Sequence, residues 1–311
     1  MVTDEPARGG IYARSVRRTF GKVVAVDQID LEAPPGHVTA LVGPNGAGKT
    51  TLLLVLATLL VPDAGDVSVA GFDPVHDPRR VRASMGWMPD VFGSYDTLTA
   101  LEVLRFVSSA YRIPKANQDA RARELLELVH LSEFADRQVH VLSRGQKQRL
   151  GLARALVHDP AVLLLDEPAA GLDPRSRIEL RGILRGLAAE GRTVLVSSHI
   201  LSELEEMADR VVLVDKGRTV SQQTMADLPQ STHRSWRIHA LDDDLLIRTL
   251  ERRGIGHSDP TVGGVEVMLA NEAEAAAMIT GLVGDGVAVV SCAPSGSSLE
   301  AAYLAMTEER R

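Results

Sequence analysis

Between residues 11 and 42 the apolar positions fall into three short bursts, IYARSV, VVAVDQIDLEA and HVTALV, separated by FGK and APPG. Short apolar runs punctuated by Gly and Pro predict strands, ending in a buried one. The stretch TLLLVLATLLV (51 to 61) then predicts a helix over 49 to 60. It falls short of the ~18 residues of a membrane span and reads as a core helix. DVSVAG (66 to 71) and the short MGWMP return to strand.

From about 97 to 158 the period changes. TALEVLRFVSSAYR, ANQDARARELLELVHL and RGQKQRLGLARALVH each carry apolar residues at helical spacing, which predicts a helical insert. AVLLLD (161 to 166), RTVLVSS (192 to 198) and RVVLVDKGRTV (210 to 220) are short and β-branched-rich. The first two are joined by a helix opening at Pro174, and buried parallel strands joined by helices give an α/β sheet.

DLPQSTHRS (227 to 235) reads as a linker, dividing the chain into 1–228 and 229–311. Beyond it WRIHAL, DDDLLIRTLERRG, IGHSDP, VEVMLA, NEAEAAAMITGLVG and VAVVSC predict β, α, β, β, α, β, with Gly263-Gly264 as a hairpin signal. That order is a ferredoxin-like α+β unit, closed by a last helix, LEAAYLAMTEE.

Composition narrows the partners. The 311 residues are 45% hydrophobic and 24% charged, as in a packed globular chain, and the net charge of −7 argues against broad nucleic-acid binding. The single cysteine, Cys292, excludes an internal disulfide and a cysteine zinc cluster, and reads as a small buried hydrophobe. The opening MVTDEPARGG lacks the apolar core of a signal peptide, and no run is apolar enough to cross a membrane. A function at a membrane would therefore need another chain to supply the crossing.

The chemistry is concentrated in a few motifs. GPNGAGKT (Gly43, Pro44, Asn45, Gly46, Ala47, Gly48, Lys49, Thr50), followed by Thr51, matches G-x-x-x-x-G-K-[ST] between ALV and an apolar helix. Such a loop wraps a polyphosphate with backbone N–H groups; Lys49 reaches the β/γ-phosphates and the Thr50 hydroxyl reaches Mg2+. VLLLDEP places Asp166 and Glu167 at the mouth of a buried strand, where charge needs a cation or donors. Asp166 is placed to hold Mg2+ through water and Glu167 to orient or deprotonate an attacking water. His199 follows VLVSS, either as a loop residue before a helix or, since parallel strands end on one edge, as a γ-phosphate contact. In LSRGQKQRL, Ser143 is a helix N-cap, and the same N-terminus, with Gly145, is an anion site.

Together these motifs resemble the nucleotide-binding subunit of ATP-binding cassette (ABC) transporters: GPNGAGKT the first phosphate motif, LSRGQ the signature, LLLDEP the second phosphate motif, GLDP the loop after it, and His199 the switch histidine. The resemblance implies a P-loop cassette that hydrolyses ATP with Mg2+, working as a head-to-tail pair, expected to be a homodimer. The first phosphate motif of one copy then faces Ser143 and Gly145 of the other, with Asp173 crossing between them. It also implies a separate integral-membrane subunit, at the cytoplasmic face of the membrane. Phe20 matches the aromatic that stacks on adenine; by itself it reads as a strand-end core residue. Arg144 stands where the family commonly has glycine, and either touches the partner or faces solvent.

The C-terminal part resembles the tail of subunits that energise exporters of drugs, lipids or polysaccharides. Alternatives are a soluble cassette acting on ribosomes or nucleic acid, or a weakly hydrolysing regulatory module. The acidic balance and single cassette disfavour the first, and Glu167 with His199 disfavours the second. Asp90, in MGWMPDVFGSY, occupies the position of a family glutamine that touches Mg2+ in the loop facing the membrane subunit. A carboxylate there either ligates the cation or caps its own turn.

Overall fold

The computed structural model describes residues 9–91, 93, 95–198, 200–227, 234–261 and 263–295, apart from the side chains of residues 202, 203 and 234. The chain divides into two compact units, Met1–Ala226 and Asp227–Arg311. The first runs β1 (Ile11–Phe20), β2 (Val23–Ala33), β3 (Val38–Val42), α1 (Lys49–Leu56), β4 (Ala64–Val69), α2 (Pro78–Ser84), β5 (Met85–Met88), α3 (Ala100–Ala110), α4 (Lys115–Leu128), α5 (Arg144–Ala155), β6 (Val162–Asp166), α6 (Pro174–Ala189), β7 (Thr193–Ser198), α7 (Leu201–Met207), β8 (Arg210–Asp215) and β9 (Arg218–Thr224).

Every residue of β3, β6 and β7 is buried. Strands that are apolar on both faces suit the middle of a covered parallel sheet. They form its centre, in the order β5-β6-β7-β3-β8-β9, parallel except for the antiparallel β9. Register pairs Val42 with Ser198 and Ser197 with Asp166, so the C-terminal ends of β3, β7 and β6 stand side by side. A second, antiparallel sheet, β2-β1-β4, shares a core with α1, where Ile29, Leu52 and Leu56 are fully buried. The helical insert consists of α3, α4 and α5; α3 opens with a capping box between Thr99 and Glu102, and α5 with one between Ser143 and Gln146.

Some elements differ from their sequence reading. Helix α1 stops at Leu56 rather than 60, because Thr58 takes a left-handed φ of 64°. Helix α2 escaped the periodicity argument because Val81 is its one buried residue. RVVLVDKGRTV is two strands, since Lys216 and Gly217 adopt positive φ and turn β8 back into β9. Phe20 ends β1 but is 46% exposed, so it is not a core residue.

The second unit is β10 (Arg234–Ala240), α8 (Asp243–Arg252), β11 (Val265–Leu269), α9 (Glu272–Gly284) and β12 (Val289–Pro294), with antiparallel order β11-β10-β12. Trp236, Ile238, Leu250, Val267 and Leu282 build its core, and Asp242 and Asn271 cap its helices. IGHSDP does not form the expected strand. It gives the isolated bridge His257–Val267, since Pro260 has no N–H for a ladder and Gly256, Ser258 and Asp259 favour other backbone states. Thr261 and Gly264 exchange backbone hydrogen bonds of 3.0 Å as an isolated bridge, so Gly264 flanks the turn and the expected hairpin between two strands does not form. Cys292 is half-buried, and burial pushes its thiol pKa up. The expected last helix lies outside the described residues.

Leu41, fully buried in β3 between β7 and β8, tests the sheet. Leu41→Ala is expected to cost about 2–5 kcal/mol in urea unfolding. A loss below about 1 kcal/mol would contradict its central placement.

Candidate functional site

The loop after β3 turns into α1 at Gly48, which sits at φ 98°, with Ala25 carbonyl oxygen 2.5 Å from where a Cβ would stand. Only glycine meets both demands. Ala47 N–H donates to Pro44 O (3.1 Å), and Lys49 Nζ donates to the carbonyls of Gly43 (2.6 Å) and Pro44 (3.2 Å), curling the loop around the ammonium. Lys49 is 6% exposed. Burial lowers its pKa, opposed by the carboxylates of Glu167 and Asp166.

Asp166 is 3% exposed at the end of β6. Ser197, its neighbour on β7, donates to one carboxylate oxygen, and Thr50 Oγ1 donates to the other at 3.0 Å. The Glu167 N–H bonds to both the carbonyl (3.1 Å) and the hydroxyl (3.2 Å) of Ser197, holding Glu167 at the uncommon φ of 51°. Strained backbone of this kind persists only where neighbours enforce it.

One open cleft of about 400 Å3 is lined by Val23, Val24, Ala25, Asn45, Gly46, Gly48, Lys49, Thr50, Thr51, Asp90, Asp166 and Glu167. Among the described residues no cluster of three His, Cys, Asp or Glu can hold a metal unaided. The hydroxyl–carboxylate pair Thr50–Asp166 does fit a hard cation that takes its remaining ligands from phosphate oxygens and water. Asp90 reaches this cleft, and its carbonyl lies 3.5 Å from Gln148 Nε2 of α5. Phe20 does not line the cleft; the Arg18 guanidinium stacks 5.0 Å from its ring centroid. His199 lies outside the described residues, although Ser198 before it ends β7 beside Val42.

Ser143, Gly145 and Asp173 line a different concavity, of about 190 Å3, together with Gln146, Arg149 and Ser176. It shares no residue with the first cleft. Ser143 Oγ accepts from Gln146 N–H (3.2 Å), which leaves its own proton for an anion. Asp173 accepts from the Ser176 hydroxyl (2.6 Å) and N–H (3.0 Å), and these bonds lower its pKa. Sequence reasoning missed the hold of Ser197 on both acids, the cleft wall at Val23 and Val24, and the Arg149–Ser176 bond (2.5 Å). Two hydroxyls closing a buried strand with an apolar middle, Ser197 and Ser198, were the available signal for Ser197.

A glycine-rich loop opening a helix after a central parallel strand, with a buried acid ending the next strand but one, defines a P-loop nucleotide-binding domain. The chain belongs to the ABC transporter family. The family's sequence profile, "ABC transporter", matches residues 26–170. The daunorubicin resistance ATP-binding protein DrrA3 of Streptomyces coeruleorubidus is 39% identical over 71% of this chain and 70% of its own length. The probable multidrug ABC transporter ATP-binding protein YbhF of Escherichia coli is 40% identical over 81% of this chain but only 44% of its own length. An import protein, the sulfate/thiosulfate ATP-binding protein CysA of Thermosynechococcus vestitus, is 38% identical over 70% of this chain and 65% of its own. Among solved structures, a dimeric post-hydrolysis ATP-binding cassette bound to ADP and Pi matches at 26% identity and TM-score 0.63, over 69% of this chain and 98% of that one.

Gly48→Ala is expected to weaken binding of a fluorescent ATP analogue about tenfold or more, because the ~1–2 kcal/mol cost of left-handed alanine adds to the clash with Ala25. An affinity within about twofold of the unsubstituted protein would contradict a phosphate-holding role for this loop.

Proposed function

We propose that this chain is the ATP-hydrolysing subunit of an exporter, in which two copies close head to tail on two ATP molecules and transmit that closure to a separate membrane-spanning subunit. The reading rests on one observation: Lys49, Thr50, Asp166 and Glu167 line one concavity and Ser143, Gly145 and Asp173 line another, with no residue in common. A second copy, turned head to tail, brings its Ser143 and Asp173 to the cleft holding Lys49, Thr50 and Glu167. The pair proposed is a homodimer.

In the closed pair, loop amides and Lys49 hold the phosphates. Thr50 and Asp166 would hold Mg2+, which would neutralise charge on the β- and γ-phosphates. Glu167 acts as general base toward the attacking water, its backbone aimed by Ser197. His199, with the partner's Ser143, stabilises charge on the γ-phosphoryl oxygens. Phe20, exposed and backed by Arg18, offers a stacking surface for adenine. Asp90 would add a carboxylate on the metal side of the cleft, in the loop expected to face the membrane subunit.

No described helix is long and apolar enough to cross a membrane, which accords with a peripheral subunit at the cytoplasmic face. The export direction draws on the drug-resistance and multidrug proteins among the relatives, and on the C-terminal α+β unit.

Glu167→Gln is expected to bind ATP normally, to accumulate as an ATP-dependent dimer, and to lose hydrolysis by about 10²–10⁴-fold. Unchanged turnover would sink the assigned role. Stable co-purification with a multi-span membrane protein would favour transport, whereas co-purification with ribosomes or nucleic acid would favour the soluble alternative.

A further inference from the structure

Arg144 is the first residue of α5, directly after the Ser143 cap. A cation there opposes the helix dipole, and α5 has no acidic residue in its first turn to offset it. Among the described residues no hydrogen bond or ion pair accounts for its charge. Local helix chemistry therefore gives no reason for an arginine at this position. Its side-chain packing does.

A Cβ built on Gly171 would stand 2.6 Å from both Cδ and Nε of Arg144, and 3.1 Å from Cζ. The end of the arginine stem and the near part of its guanidinium thus fill the space that a side chain at Gly171 would take, two residues before Asp173. Gly171 sits at φ 75°, so the glycine supplies both the turn and the bare surface on which Arg144 rests. Five residues further along α5, Arg149 donates to Ser176 Oγ at 2.5 Å and pairs with Glu179 at 2.7 Å. Ser176 in turn donates to Asp173 at 2.6 Å. Helix α5 meets the Asp173 segment through these polar bonds, through the packing of Arg144 at Gly171, and where Leu172 Cδ2 would lie 3.2 Å from a Cβ on Gly145.

We propose that Arg144 is a positioning residue: by packing on Gly171 it holds the signature serine and the Asp173 loop of one copy at a set spacing, so that both meet the partner subunit's nucleotide in a single closing step. The inference rests on the paired-cassette reading and adds an intrachain clamp to it. Two groups already set relative to one another lose less freedom on docking than two that move separately. The contact is made by the stem and guanidinium plane, so shape rather than charge carries the effect. That separates it from a direct contact between Arg144 and the partner's phosphate.

The test compares Arg144→Gly, which removes the packing, with Arg144→Met, which keeps a long apolar stem and removes the charge. Turnover, KM for ATP, affinity of the dilute monomer for a fluorescent ATP analogue, and ATP-driven dimerisation in the Glu167→Gln background are measured for each. Arg144→Gly is expected to lower kcat and weaken dimerisation by about tenfold, with monomer affinity within about twofold, and Arg144→Met is expected to recover to within about threefold of the unsubstituted protein. Turnover of Arg144→Gly at the unsubstituted rate overturns the proposal. So does Arg144→Met as impaired as Arg144→Gly, which would assign the effect to charge. An equal loss of monomer affinity also overturns it, because the change would then be a general loosening. If Glu167→Gln itself forms no ATP-dependent dimer, the paired reading falls and this clamp falls with it. A normal dimer there, with either of the first two outcomes, rejects the clamp alone.

Discussion

Asp166 is a carboxylate almost wholly withdrawn from water at the end of a buried strand, and the cleft is organised around satisfying it. Burial of an unpartnered charge is costly, and here two hydroxyls meet it, Ser197 from the neighbouring strand and Thr50 from the phosphate loop. Each contact depends on the parallel register that sets Asp166 against Ser197, and Ser198 against Val42. A slip in the pairing of β7 would separate the acid from its donor and the loop from both. The same serine fixes the backbone of Glu167, so one hydroxyl joins the metal-side acid to the proposed base.

Under the proposed pairing, each copy carries two half-sites. One cleft presents Lys49, Thr50 and the acids; the other presents Ser143 and Asp173 on the N-termini of α5 and α6. Both of those helix starts are capped within the chain, α5 by Ser143 in a box with Gln146 and α6 by Asp173, which accepts from Ser176.

Much of this was legible in the sequence because the chemistry there is local. GPNGAGKT specifies its own loop, LLLDEP ends a strand that is apolar throughout, and LSRGQ carries the cap of its helix. Contacts between distant segments were not legible. The hold of Ser197 on Asp166 spans thirty-one residues, and the packing of Arg144 on Gly171 requires knowing that α5 runs past that turn. Phe20 misled as a strand-end core residue because β1 belongs to a sheet with one face in water. IGHSDP misled because its position in the order β, α, β, β, α, β outweighed its poor strand composition. Asp90 lines the cleft, and its backbone also approaches α5, the helix that Ser143 caps.

The central claim is that one chain holds only half of each site. The most direct measurement is ATP turnover per chain over a dilution series, with sedimentation reporting the association state at each concentration. Turnover per chain is expected to fall toward zero as the protein dissociates into monomers. A rate per chain that stays constant where only monomers remain would contradict it.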